Sequence, residues 1–272
     1  MRRPKVIQHS VLGLGVLLSL FPFYWMVVMA TNSTEEILKF PPAVTPGGEL
    51  LTNVGKVFTE IDFFGSMLNT FLAATGATVL VLLFDSLAAF TFAKFHFPGR
   101  TFLFVLLLAT MMIPPQLSAI PQFVVMAQFG WVGSLKALVV PATINAFGIF
   151  WMRQYIAGAV HDELLEAARL DGCGFLRQYW HVGLPVVRPA LGFLGIYTFI
   201  SVWNDYLWPL VVLVDPDELT LQVALGQLNR THDTDYSMVM AGTVLAVIPL
   251  LIVFLIGARN FIADLAKGAV RG

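Results

Sequence analysis

Long apolar stretches separated by short polar segments dominate the pattern of this 272-residue chain. A helix needs about 20 mostly apolar residues to cross the ~30 Å hydrocarbon core of a bilayer. The pattern predicts six such helices, over residues 11–30, 67–93, 102–126, 137–157, 189–213 and 238–258. We therefore expect an all-α, polytopic membrane protein, with one membrane domain formed by residues 1–272.

The first apolar stretch has two interpretations. It follows Arg2, Arg3 and Lys5, and Val28-Met29-Ala30 resembles the cleavage site of a signal peptide. However, its length and its aromatic residues, among them Trp25, are typical of a retained span with an interfacial aromatic belt. We interpret it as the first transmembrane helix.

Composition supports the membrane assignment and excludes several other classes. Charged residues make up only 12% of the chain, about half of what soluble proteins carry. The net charge of −1 excludes nucleic-acid binding driven by overall charge. The single cysteine, Cys173, excludes an internal disulfide and a multi-cysteine metal site.

The distribution of charge predicts the orientation. Basic residues concentrate on the segments that lie inside when the N-terminus is inside, whereas the outer segments carry only Lys39, Lys56, Lys136 and Arg230. The outer loops, residues 31–66 and 215–237, are acidic instead. By the positive-inside rule, both termini face the cytoplasm. This predicts a multi-pass protein of the bacterial cytoplasmic (inner) membrane.

Common catalytic motifs are absent from the sequence. It contains no G-x-x-x-x-G-K-[ST] phosphate loop, no H-E-x-x-H zinc motif and no G-x-S-x-G nucleophile elbow. The five histidines are scattered along the chain. The sequence therefore predicts a chain that is not an enzyme and that binds no metal or cofactor of its own.

The most informative polar segment is residues 160–188, VHDELLEAARLDGCGFLRQYWHVGLPVVR. Asp162 is suited to cap a helix start, and Gly172 is suited to end it in the left-handed conformation. The residues between them favour helix, so we predict a short helix over 162–172. Such a helix is too short to be stable alone in water, and it must lie against another surface.

The two faces of this predicted helix differ. At 100° per residue, Leu164, Leu165 and Ala168 share one face, with Glu163, Glu166 and Leu170 opposite. One interpretation is an amphipathic helix on the inner leaflet, but such helices favour Lys and Arg on the polar face. The acidic face favours docking to a cytoplasmic protein.

These residues also carry a family resemblance. Glu166-Ala167-Ala168-Arg169-Leu170-Asp171-Gly172, followed by Leu184-Pro185, resembles the E-A-A loop of ABC importer permeases. The resemblance extends to the carbohydrate-type, maltose-permease-like branch through the stretches at residues 203–210, 113–121 and 266–272. Departures occur at Cys173-Gly174 and Asn260-Phe261.

The resemblance implies a division of labour. The E-A-A helix would sit in a cleft of a separate ATPase subunit, which binds ATP-Mg, and would transmit its closure to the membrane helices. The implied partners are a second, similar permease chain, two ATPase subunits and an extracytoplasmic solute-binding protein. The coupling residues would be Leu164, Leu165, Glu166, Ala167, Ala168, Asp171, Gly172, Leu184 and Pro185. We further expect Leu184-Pro185 to stop the following helix from extending backwards, because proline donates no hydrogen bond.

Polar residues inside the spans are candidates for a solute pathway. Asp205 and Asn204 lie among Trp203 and Tyr206, a combination that suits a polyhydroxylated ligand, although these groups could equally bond to neighbouring helices and shape a gate. Gln116, beside a predicted kink at Pro114-Pro115, and Asn145 are weaker candidates.

Asp85 is the other acidic residue inside a predicted span. A structural pairing is the preferred interpretation of Asp85, near the inner end of the second span.

The function predicted is import of a sugar or sugar derivative by alternating access. A gradient-driven secondary transporter is the main alternative, disfavoured by the lack of a visible repeat and of an ionisable relay, and a membrane enzyme is a third.

Overall fold

The computed structural model describes residues 3–229 and 234–269, with side chains placed for residues 6–229 and 234–256. Within these ranges every regular element is helical and no strand occurs. The chain divides into two compact units, Met1–Phe64 with Val223–Pro249, and Gly65–Gln222 with Leu250–Gly272. The all-α prediction is confirmed for the described residues.

The helices that begin in the first unit or return to it lie near the two ends of the chain. They are α1 (Arg3–Thr31), α2 (Thr34–Leu38), α3 (Leu50–Glu60), α14 (Leu221–Gln227) and α15 (Tyr236–Ala269).

The second unit contains the central helices and most of α4. These are α4 (Phe63–Lys94), α5 (Arg100–Thr110), α6 (Pro115–Gln128), α7 (Lys136–Ala142), α8 (Ala146–Ala159), α9 (Asp162–Leu170), α10 (Phe175–Gln178), α11 (Leu184–Val186), α12 (Arg188–Trp203) and α13 (Leu207–Val212). A π-helical turn, Tyr179–Gly183, joins α10 to α11, and a 3-10 turn, Pro216–Glu218, follows α13.

Among the described residues, three helical stretches are long and apolar enough to cross a membrane, Val6–Thr31, Phe63–Lys94 and Tyr236–Ile256. Two bent helix pairs raise the number to as many as five if each pair forms one span: α5 with α6, bent by 102°, and Phe175–Val186 with α12, bent by 82°. The prediction of a break near Pro114 is confirmed. This break divides the predicted span over 102–126, because Pro114 and Pro115 lack the backbone donors that a continuous helix requires.

The predicted fourth and fifth spans are also interrupted. Residues 143–145 separate α7 from α8, and residues 204–206 separate α12 from α13. Breaks of this kind are tolerated at membrane depth only where protein or a cavity satisfies the freed backbone groups. Each interruption therefore requires local hydrogen-bond partners, and both occur where polar residues enter the apolar sequence.

The structure contradicts the expected stop at Leu184-Pro185. The helix runs through this pair by widening into the π-helical turn, in which the Leu184 amide donates to the carbonyl of Tyr179. The chain bends at Val187 instead, and Pro189 occupies the first turn of α12, where its missing N–H costs nothing.

A buried apolar cluster holds the second unit together. It joins Phe90 of α4, Met152 and Ile156 of α8, Leu165 of α9 and Leu194 of α12. A side chain on Gly183 would lie within 2.8 Å of the Phe90 ring, so the π-helical turn packs closely on α4. Tyr179 and Ser86 add a hydrogen bond of 2.7 Å across the same contact.

In the first unit, Asp235 organises the start of α15. Its carboxylate accepts hydrogen bonds from the Thr34 hydroxyl at 2.7 Å and from the Met238 amide at 3.1 Å. It also pairs with the Lys56 ammonium at 2.6 Å. Burial alone would raise the pKa of Asp235, but the bonds from Lys56, Thr34 and Met238 outweigh it and lower the pKa below its ordinary value.

We predict that Asp235→Asn lowers the free energy of unfolding by about 1 kcal/mol at pH 7, because the ion pair and part of the cap are lost. A carboxyl with a depressed folded pKa stabilises the fold above its unfolded pKa of about 3.9 and loses that contribution as the pH falls through the folded pKa. Thermal unfolding in detergent should therefore show a difference that shrinks from pH 4 downwards. Exposed Asp217→Asn serves as the control, and a pH-independent difference would contradict the assignment.

Candidate functional site

A cavity of about 480 Å³ lies within the second unit, at the ends of the interrupted helices. Its walls come from α6, α7, the start of α8, α12 and α13. The polar residues that line it are Gln116, Ser118, Gln122, Asn145, Thr198, Ser201, Asp205 and Trp208.

The α6 wall follows from the break before Pro115. Proline is well suited to the first turn of a helix, and starting the helix there directs Gln116, Ala119 and Gln122, at spacings of three residues, to the cavity. Two amide side chains and the Ser118 hydroxyl of this mostly apolar helix therefore line the cavity.

The α12 and α13 wall carries the carboxylate. Thr198, Ser201 and Asp205 recur at helical spacing along this wall. The Trp208 amide donates to the Asp205 carboxylate at 3.5 Å, which places the carboxylate at the start of α13. The indole N–H of Trp208 donates to the Ala137 carbonyl at 2.9 Å, which fixes the ring against α7.

Thr198 contributes a hydroxyl whose hydrogen-bonding capacity is unused. Its side chain is 3% exposed, and Oγ1 has no partner among the described residues. A buried hydroxyl left unpaired costs about 1–3 kcal/mol. A bound ligand with hydroxyl groups could satisfy this atom.

Asp85 holds the α8 wall in place. Its Oδ1 accepts a hydrogen bond from the Asn145 amide at 3.2 Å. The Asn145 side chain in turn caps α8 by accepting from the amides of Phe147 and Gly148. The structure thus gives Asp85 a structural partner, as the sequence interpretation favoured.

The cavity is suited to a neutral, hydroxyl-rich ligand. Its lining offers amide and hydroxyl groups, one carboxylate and an indole ring, and no Lys, Arg or His among the described lining residues. The described residues also contain no cluster of His, Cys, Asp and Glu that could hold a metal ion.

The structure brings together three of the six pathway candidates, Gln116, Asn145 and Asp205. It places the other three outside the lining. Trp203 is buried and stacks on Phe199 at 5.6 Å, the Asn204 amide donates to the Ile200 carbonyl, and Tyr206 is exposed.

Sequence reasoning missed Ser118, Gln122, Thr198 and Ser201 as lining residues, whereas Trp208 belongs to the aromatic segment around Asp205 that the sequence pointed to. A signal for them was present, because polar residues recur at helical spacing in two segments. These residues are Gln116 and Gln122 in the first segment, and Thr198, Ser201 and Asp205 in the second. Which face of each helix points inward was not evident without the bends.

The second candidate region is α9 and the turn after it. Gly172 has φ +79°, and the amides of Gly172 and Cys173 donate to the carbonyls of Arg169 and Ala168, which is a Schellman motif. The predicted helix end at Gly172 is confirmed.

The predicted start of α9 at Asp162 is confirmed, but the capping role predicted for Asp162 is wrong. His161 occupies the N-cap position without a side-chain bond, and Asp162 pairs with the Lys94 ammonium at 2.8 Å. This interaction lowers the pKa of Asp162. Because Lys94 is only 6% exposed, its charge draws the Asp162 carboxylate away from the cap and ties α9 to the end of α4.

The buried face of α9 contains fewer residues than predicted. Leu165 and Ala168 are buried, whereas Leu164 is 46% exposed because it lies at the edge of the packed face. Glu163, Glu166 and Ala167 are exposed, as is Leu170 at 89%. An acidic face with a protruding leucine is therefore left exposed by the described part of the chain.

The remaining predicted coupling residues frame this helix. Asp171 is exposed and forms its C-cap. Leu184 is partly buried and Pro185 exposed, both in the stretch that follows the π-helical turn.

Known permease proteins and a solved transporter structure are similar to this chain. The lactose transport system permease protein LacG of Rhizobium radiobacter is 35% identical over 261 residues, covering 96% of this chain and 94% of that protein. The sn-glycerol-3-phosphate permease protein UgpE of Yersinia pestis is 32% identical, covering 94% of each chain. A bacterial ABC transporter structure for alginate import superposes with a TM-score of 0.81 at 25% identity, covering 96% of this chain and 97% of that one.

The fold and these similarities define a membrane subunit of a transporter. Residues 85–267 match the binding-protein-dependent transport system inner membrane component family, and the chain belongs to this family. This confirms the predicted permease subunit and excludes the interpretation as an enzyme.

We predict that Gly148→Ala disturbs the cavity wall, because a Cβ there would overlap the Asp85 carboxylate. Displacing this group should cost about 1–3 kcal/mol of stability, the usual range for overpacking. Gly158→Ala is the matched control, since it lies in the same helix with open space around it. Equal thermal unfolding temperatures for the two variants would contradict the close approach.

Proposed function

We propose that this chain is the permease subunit through which an ATP-driven importer moves an uncharged saccharide across the cytoplasmic membrane. The observation that carries the proposal is the cavity, whose described lining combines neutral polar groups, one carboxylate and an indole ring. Hydroxyl groups of a sugar would bond to the amides and to Thr198, and its C–H faces would pack on Trp208. A phosphate or uronate would meet the Asp205 carboxylate without a cation to offset the repulsion.

The relatives support a carbohydrate solute, and the charges of the cavity lining favour a neutral one. Related permeases are named for lactose, arabinooligosaccharides and sn-glycerol-3-phosphate, which include both neutral and anionic solutes. We infer a neutral solute for this chain from the electrostatics of the lining. Uptake competition with lactose and with sn-glycerol-3-phosphate in cells expressing the importer tests this, and competition by the phosphate ester alone would contradict it.

We further propose six membrane crossings with both termini in the cytoplasm. The distribution of basic residues supports this orientation, and the two bent pairs together with the broken α7–α8 stretch would supply the additional crossings. Cys173, the single cysteine, lies after α9 and is partly exposed. A membrane-impermeant maleimide should label it in inside-out vesicles and not in intact cells, and the reverse pattern would overturn the orientation.

We also propose that α9 couples the chain to a separate ATPase. Its exposed acidic face supports docking to a protein, and its buried face links it to α4, α8 and α12 through the apolar cluster. The assembly would include a second permease chain, two ATPase subunits that bind ATP-Mg, an extracytoplasmic solute-binding protein and surrounding lipid. Transport would follow alternating access, in which nucleotide shifts the equilibrium only through its different affinity for the two states.

We predict that Glu166→Lys and Gly172→Val abolish transport while the protein still inserts. The first reverses a charge on the exposed face, and the second forces a β-branched residue into φ +79°, where only glycine is readily accommodated. Gly174→Ala, with open space and no positive φ, should transport normally. Co-purification of the ATPase and transport in proteoliposomes measure the effect, and normal coupling in both variants would contradict the docking role.

We predict that Asp205→Asn and Gln116→Leu each reduce transport about tenfold, the loss expected for one ligand hydrogen bond. The ATPase should still bind, because neither substituted residue lies on α9. Gln227→Leu changes an exposed amide and serves as the control. Unchanged transport in both cavity variants would place the solute on the second permease chain.

A further inference from the structure

A second cavity, of about 490 Å³, lies where the end of α4, the start of α5 and α8 meet. Its lining is unlike that of the first cavity. It contains three basic side chains, His96, Arg100 and Arg153, and no carboxylate among the described lining residues. Phenylalanine rings form the rest of its surface, among them Phe97 and Phe104.

Within the described part of the chain, the arginines in this cavity have no acidic partner. The ion pairs within 4 Å in the described part of the chain involve Lys56 and Lys94. Arg153 stacks its guanidinium over the Phe104 ring at 4.4 Å and donates to the Gln154 side chain at 3.2 Å. Its Nε–H is buried and has no hydrogen-bond partner among the described residues, although Arg153 as a whole is only partly buried. A buried donor without a partner is costly, and an anion in the cavity would supply the missing acceptor.

The start of α5 adds a second source of positive potential. Gly99 precedes this 11-residue helix at φ 78°, and no side chain caps its first turn. Arg100 lies there and donates to the Phe95 carbonyl at 3.3 Å, which leaves its other donors for a ligand. The helix N-terminus and the guanidinium groups of Arg100 and Arg153 therefore act on the same space.

We propose that this cavity binds the phosphate of an anionic phospholipid headgroup. Arginine matches phosphate oxygens with paired donors, and basic pockets between membrane helices on the cytoplasmic side bind such headgroups. The proposal rests on the orientation proposed above, which places this end of α4 and α5 at the inner leaflet.

A lipid fits better than a free anion because of what adjoins the cavity. Phe102 of the lining is 70% exposed, and Val105, one turn further along α5, is also exposed. These side chains offer an apolar surface continuous with the phosphate position, where acyl chains would lie. A soluble phosphate would leave this surface uncovered.

The test measures lipid retained by the importer purified with its partners. Native mass spectrometry after exchange into mixed phosphatidylglycerol and phosphatidylcholine would count the bound lipids. The wild type should retain phosphatidylglycerol selectively, and Arg153→Gln with Arg100→Gln should lower that retention about tenfold. Arg153→Lys should lose only part of it, because the charge remains without the paired donors.

Arg188→Gln is the matched control, since it removes an exposed basic residue from the same predicted side. Equal loss in this control, or no selectivity in the wild type, would overturn the proposal and leave these arginines as orientation signals only. Displacement of the lipid by millimolar inorganic phosphate would point to a soluble anion instead. The maleimide experiment on Cys173 reports orientation separately, so a wrong topology and a wrong lipid site give different results.

Discussion

The contact between the Asp85 carboxylate and the start of α8 is the constraint on which the cavity depends. A helix that begins inside an apolar bundle exposes amide groups that neither lipid nor water can satisfy. Asp85 and the Asn145 side chain accept three of these amides, and Gly148 permits the close approach. The chain can therefore interrupt a crossing helix, and the interruption creates the space that the polar side chains line.

One helix connects this space to the stretch that contains α9. α8 begins beside Asn145 at the cavity and ends at Ala159, just before α9, a length of about 21 Å for an ideal helix. Its residues Met152 and Ile156 share the buried cluster with Leu165 of α9. Because close-packed cores transmit displacement rather than absorb it, a shift of α9 would reach the cavity wall through continuous contacts.

Local rules were sufficient for some features and insufficient for others. The apolar runs, the break at Pro114 and the left-handed Gly172 follow from composition and backbone sterics, and sequence predicts them. The pairing of Asp162 with Lys94 required knowing that α4 ends beside α9, 68 residues away. Similarly, the π-helical turn packs on α4 through Gly183 and Phe90, a tertiary contact that no local pattern encodes. Trp203 and Asp205 were predicted together, but the helix end at Asn204 separates their environments.

The division of α9 into a buried seat and an exposed face has an evolutionary consequence. Packing within this chain constrains Leu165 and Ala168, which are buried. The exposed residues of the helix are Glu163, Glu166 and Leu170. In the assembly proposed above, two different permease chains that dock on identical ATPase copies would have to remain alike only at the outward positions. The buried positions could change together with the core of each chain. Two chains could therefore diverge in solute preference without losing their docking to the same ATPase.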